Sequence, residues 1–225
     1  MNDLVFLSSQ QVDATVLTTA DTIADYAGIS HHSINITVNK NAARLKRANR
    51  GELLFKMTPL SSGQKAKTYL LNQQQATLLI TFLKNTPRVA DFKELLVAQF
   101  YAMQRELIER QAQFELGKQF SKSLHATIAD SQIKMHGHEY STFNRLIYKQ
   151  ALGVDTTKLR KARDIPKGEA ITTYLSSDEA EAVRLVKNRV EVFLDAGMNY
   201  QQIKQVLQIK GVVYKVTLQL PVKNE

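Results

Sequence analysis

The chain has 225 residues, 44% of them hydrophobic and 23% charged, with no cysteine and a net charge of +9 from 30 Lys and Arg against 21 Asp and Glu. That balance is ordinary for a globular protein and excludes wholesale disorder or a fibrous repeat, while the missing thiols exclude disulfides and the ligand on which most structural zinc sites depend. No apolar run approaches the roughly 20 residues of a membrane span and residues 1–10 lack the pattern of a secretion signal; a cytoplasmic protein with no membrane partner is expected, and its positive charge favours an anionic one.

Two β-rich runs, 4–7 and 14–17, flank the polar Ser8-Ser9-Gln10-Gln11 and predict a hairpin. Thr18 or Thr19 can cap the helix that follows, where Ile23, Ala24 and Ala27 form an apolar stripe that stops at Gly28. Ser30 is a good N-cap for a second helix over 31–41, with Ile34 and Val38 turned inward. A helix-turn-helix needs a small residue facing the partner helix, a turn residue tolerant of positive φ, and an aliphatic residue returning from the second helix. Ala24, Gly28 and Ile34 fill those roles, with Ile23 and Ile29 beside them. Such a second helix enters the DNA major groove N-terminus first and exposes Ser30, His32, Ser33, Asn35, Asn39 and Lys40. Asn35 is the leading candidate for a base contact, because Asn can bond adenine bidentately.

A basic linker follows, Arg44-Leu45-Lys46-Arg47 with Arg50, and leads into strands over 52–57 and 67–71, a hairpin with Lys65 and Lys67 near its tip. Between His31 and Lys67 eight Lys and Arg stand against the lone Glu52, so most of the excess charge lies here. Helix, helix, hairpin in that order is a winged arrangement, in which the hairpin touches phosphate beside the groove. Asn72 with Gln75 makes a capping box for a helix to residue 84, ended by Asn85-Thr86-Pro87. A long helix over 88–116 carries a stripe at Val89, Phe92, Leu96, Phe100, Met103 and Leu107, which is either a dimer seam or the cover of the domain's own sheet.

Residues 117–130 are more weakly helical, and the domain boundary is placed there, at 118/119. Beyond it the pattern predicts helices over 141–152, 155–162, 178–196 and 200–208, with capping boxes at Ser176/Glu179 and Asn199/Gln202. The tail alternates at Tyr214, Val216, Leu218 and Leu220, which predicts a strand over 212–220 in need of a partner. The expected fold is α+β: a winged helix-turn-helix domain with a long helix over 1–118, then a mainly α-helical domain over 119–225 that ends in a strand and serves oligomerisation or partner binding.

Other signals have simpler accounts. His136-Gly137-His138-Glu139 lacks a fourth ligand at recognisable spacing and reads as a surface loop, so no metal and no cofactor is expected. Lys158, Arg160, Lys161, Arg163 and Lys167 read as a solvated helix face more readily than as a phosphate contact, and Asp178, Glu179 and Glu181 as first-turn carboxylates facing a helix dipole. With no phosphate-binding glycine loop, nucleophile elbow or His-Glu-x-x-His, an enzyme is not expected.

Leu17-Thr18-Thr19-Ala20-Asp21-Thr22-Ile23-Ala24, Lys67-Thr68-Tyr69-Leu70-Leu71-Asn72 and Phe92-Lys93-Glu94-Leu95-Leu96-Val97-Ala98-Gln99-Phe100 resemble the opening of the motif, the strand entering a helix, and the long-helix signature of phage regulatory proteins of the Rha family. The resemblance implies a phage or prophage regulator that binds DNA. The chain departs from it at Ser30-His31-His32-Ser33-Ile34, where the family carries a basic residue before the histidine. Residues 143–149 and 159–168 are similar to C-terminal domains of phage antirepressors, which implies a partner-binding or oligomerisation module. The expected function is a transcriptional regulator that binds double-stranded DNA as a homo-oligomer. The alternative is an antirepressor acting on another regulator, such as a phage repressor protein.

Overall fold

The computed structural model describes residues 3–59 and 65–217. It is an α+β protein whose described residues form one four-stranded antiparallel sheet and nine α-helices, none of them long and apolar enough to cross a membrane. The chain divides into two compact units, 1–107 and 108–225.

The first unit contains β1 (Phe6–Leu7), β2 (Val16–Thr19), α1 (Ala20–Ala27), α2 (His31–Lys40), α3 (Ala42–Arg47), β3 (Leu54–Pro59), β4 (Lys65–Asn72), α4 (Gln73–Thr81) and the first turns of α5 (Pro87–Asp130). The sheet order is β1-β2-β4-β3. Both expected hairpins are present: β1 pairs with β2 through Phe6↔Leu17, and β3 with β4 from Leu54↔Leu70 to Pro59↔Lys65. The core gathers Ile23, Ala24, Ile34, Val38, Leu45, Leu71 and Leu79, all without exposed surface.

Two expectations change in this unit. The basic linker is the helix α3, because Leu45 is fully buried in the core and the turn must close to bring it there. Of the two roles open to the α5 stripe, the chain shows the cover: Val89, Phe92, Leu96 and Phe100 are buried in this core, with Met103 and Leu107 packed at its margin. Pro87 occupies the first position of α5, where its missing N–H has no helical acceptor to lose.

The second unit holds the rest of α5, then α6 (Glu139–Leu152), α7 (Thr156–Ala162), a short 3-10 helix at Ile171–Tyr174, α8 (Ser177–Asp195) and α9 (Tyr200–Lys210). Leu124 and Ile128 of α5 join Phe143, Ile147, Leu152, Leu159, Val186, Val190, Ile203 and Leu207 in one core. The capping boxes at Ser176/Glu179 and Asn199/Gln202 form as expected. Part of the basic cluster is structural and not a solvated face. Arg163 pairs with the buried Glu179 through both guanidinium nitrogens, and Arg160 donates to the carbonyls of Pro166 and Glu169. Glu139 turns its carboxylate back onto the N–H groups of Met135 and Gly137, and these bonds hold it below the usual carboxylate range.

The tail is not a strand over its described part. The N–H groups of Val213, Tyr214 and Val216 donate to the carbonyls of Gln150, Ala151 and Leu152, the last of α6, while the Gln150 amide donates to the Gly211 carbonyl. Helix ends leave such carbonyls open, and the tail fills them where a sheet partner was expected. Leu218 and Leu220 lie outside the described residues.

Candidate nucleic-acid interface

The α1–α2 corner is built from local caps and one distant clamp. Thr19 caps α1 by accepting from the Thr22 N–H, and Ser30 caps α2 by accepting from the Ser33 N–H. Between them Gly28 sits at φ +70°, the left-handed region that glycine enters without cost. Arg88, at the start of α5, donates to the carbonyls of Asp25 and Tyr26 in the last turn of α1. Its guanidinium lies 3.1 Å from where a Cβ on residue 28 would be. Tyr26 stacks on Phe92, also of α5, at 5.6 Å.

His31, the first residue of α2, closes the corner from the other side. Its ring nitrogens lie 2.7 Å from Asp25 and 3.3 Å from Asp21, both on α1. The hydrogen bond to Asp25 raises the imidazole pKa above its ordinary value, partial burial opposes this, and the charges of Asp21 and Asp25 reinforce it. This clasp was not evident in the sequence, although the spacing of two aspartates on one face of α1 is a usable sign of it.

Helix α2 lies along β4. The Asn35 amide faces the Lys67 carbonyl at 3.5 Å, while its own Oδ1 is buried with no partner among the described residues. The Asn39 Oδ1 accepts from the Tyr69 hydroxyl at 2.6 Å. With Ile34 and Val38 inward and Asn35 half-buried against the hairpin, the exposed side of the helix presents His32, Ser33, Ile36 and Lys40, and Asn39 is exposed as well although it bonds to Tyr69. Ile36 is an aliphatic residue 52% exposed among polar ones and was not singled out from the sequence. Ser30 and Ser33 bond to each other through their hydroxyls.

The hairpin face beside α2 is set by register. Phe55 is opposite Tyr69 and Met57 opposite Lys67, so these four side chains share one face. The Lys67 ammonium lies over both rings, 4.0 Å from the Phe55 centroid and 4.6 Å from that of Tyr69, a cation–π arrangement that holds a positive charge in place at the surface. Lys65 is exposed one step nearer the tip.

The remaining basic residues do not converge on that point. Asn49, next to Arg50, bonds to Asn72 at the far end of β4, and the buried Gln75 amide donates to the carbonyls of Leu45 in α3 and of Glu52. Lys65 and Asn72 stand seven residues apart on one strand, about 23 Å at 3.3 Å per residue. Lys46, Arg47 and Arg50 are exposed at that far end, and Arg44 lies over the Phe82 ring at 5.8 Å. The sequence suggests one patch. The fold spreads it into a band along β4, with Lys40 on α2 between the ends.

Residues 18–105 match the family model of the phage regulatory protein Rha. All three resembling segments except Leu17 lie inside that span, which ends before the second unit. No curated protein matches the chain.

Proposed function

We propose that this chain is a phage regulator that binds double-stranded DNA, with α1 and α2 as the helix-turn-helix and the β3–β4 hairpin as its wing. The observation that carries the reading is the docking of α2 along β4, which leaves His32, Ser33, Ile36 and Lys40 exposed beside a fixed Lys67 charge. His32 and Ser33 are suited to base edges or phosphate, Ile36 to a thymine methyl, and Lys40, Lys65 and Lys67 to backbone phosphates. Arg44, Lys46, Arg47 and Arg50 extend phosphate contact along the duplex. The second unit serves assembly or partner binding, the role implied by the resemblance of residues 143–149 and 159–168 to antirepressor C-terminal domains.

Selection of random duplex oligonucleotides on the purified protein, followed by a mobility shift, tests this. Affinity for the selected site should fall with salt at a log-log slope of about −0.9 per phosphate neutralised. His32→Ala with Lys40→Ala should weaken binding by at least about tenfold. Unchanged affinity in that variant would refute the assignment of α2.

A second reading rests on the edge strand. Among the described residues β3 pairs only on its β4 side, and Phe55 and Met57 are 52% and 51% exposed upon it. An open edge with apolar side chains can take up a strand from another protein, which would suit an antirepressor docking on a repressor. Recovery of a repressor from lysogenic cells, without enrichment of any DNA sequence, would favour this second reading.

A further inference from the structure

The second unit has a half-open cavity of about 440 Å³, in the range of small-molecule sites. Leu124, Phe143 and Ile147 give it an apolar floor. Lys187 of α8 reaches it while only 5% exposed. The ammonium donates to Ser121 Oγ at 2.5 Å, and Ser121 in turn donates to the Gly117 carbonyl. One of the three ammonium donors is thus used. Among the described residues Lys187 has no carboxylate partner, and no Asp or Glu lines the cavity. Burial pushes its pKa down to about 8, so at neutral pH it still carries a charge that no acid answers.

Two further groups line it. Tyr148 is 2% exposed, and burial, with the Glu179 charge, holds its hydroxyl protonated. Arg160, held by two carbonyls, adds a second fixed positive charge to the wall. A buried cation without a counter-charge is costly to fold. A bound anion offsets that cost, and an apolar floor of this size suits one with a hydrocarbon body.

We propose that this cavity binds a small organic anion, with its carboxylate or phosphate on Lys187 and its apolar body against Leu124, Phe143 and Ile147. The site is independent of any reading of the first unit. It gives the protein a means of responding to a metabolite.

The test uses the full chain, titrated by calorimetry and by amide NMR with benzoate, phenyl phosphate and the neutral benzyl alcohol. At least one anion should bind with Kd below about 1 mM and shift the resonances of residues lining the cavity, the stronger of the two identifying carboxylate or phosphate as the preferred group. Lys187→Met, which keeps the aliphatic stem, should bind it at least about tenfold more weakly. Should that variant not fold, the wild-type protein with 13C-dimethylated lysines carries the test. The Lys187 resonance should then titrate at a higher pH with the anion than without it, and benzyl alcohol should leave it in place. The proposal is overturned if neither anion shifts those resonances, if Lys187→Met binds equally well, if the alcohol binds as tightly as the anions, or if the Lys187 titration does not move.

Discussion

His31 links a single titration to the geometry of the α1–α2 corner. Its folded pKa is raised, chiefly by the bond to Asp25, so the clasp contributes in full below the unfolded value of about 6.5 and fades as pH rises through the folded one. The ring is 55% exposed, which keeps the effect below about 1 kcal/mol. Denaturant midpoints from about pH 6 to pH 9 should fall for the wild-type protein, and His31→Gln should flatten that slope. Gly28→Ala forces a side chain into φ +70° against the Arg88 guanidinium and should cost about 1–3 kcal/mol of first-unit stability, measured by chemical unfolding. Asn35 and Ile36 mark the limit of legibility at this scale. Helical period places Ile34 and Val38 inward, but which flank of α2 a distant hairpin will cover is a long-range matter. The hairpin took the side of Asn35 and Asn39, and Ile36 was left in the open.

Among the elements, those specified by local chemistry could be read directly. Thr19, Ser30, Asn72, Ser176 and Asn199 each cap the helix expected of them, because a cap needs only an acceptor three residues from a donor. The misread elements depend on partners far along the chain. Helix α3 exists because Leu45 is buried and Gln75 takes its carbonyl. Residues 212–217 alternate like a strand, yet spend their N–H groups on the end of α6. Gln75→Leu should destabilise the first unit by about 1–3 kcal/mol, since the carbonyls of Leu45 and Glu52 lose their buried donor. Deleting residues 212–225 should lower the stability of the second unit by a similar amount, with the loss of amide-exchange protection greatest in the last turn of α6.

At the scale of the whole chain, two separate cores mean that stability is held in two accounts of the same kind. Ile34→Ala and Val186→Ala each empty a fully buried site and should cost about 2–5 kcal/mol and about 1–4 kcal/mol. Hydrogen exchange should report each loss mainly within its own unit, and the two effects should add. The presence of an α+β first half and a helical second half was legible from periodicity and caps alone. The cavity around Lys187 was not, because a lysine at a helical spacing reads as a surface residue until the other helices close over it.

The clamp between Gly28 and Arg88 bears on descent as well as on folding. A side chain at residue 28 would press on the guanidinium that bonds the end of α1, while loss of the arginine would free the space but leave the left-handed backbone. Backbone and space thus both favour glycine there. In a collection of related sequences the glycine should persist where the arginine varies, far apart in the chain though they are, because the left-handed backbone requires it with or without the guanidinium.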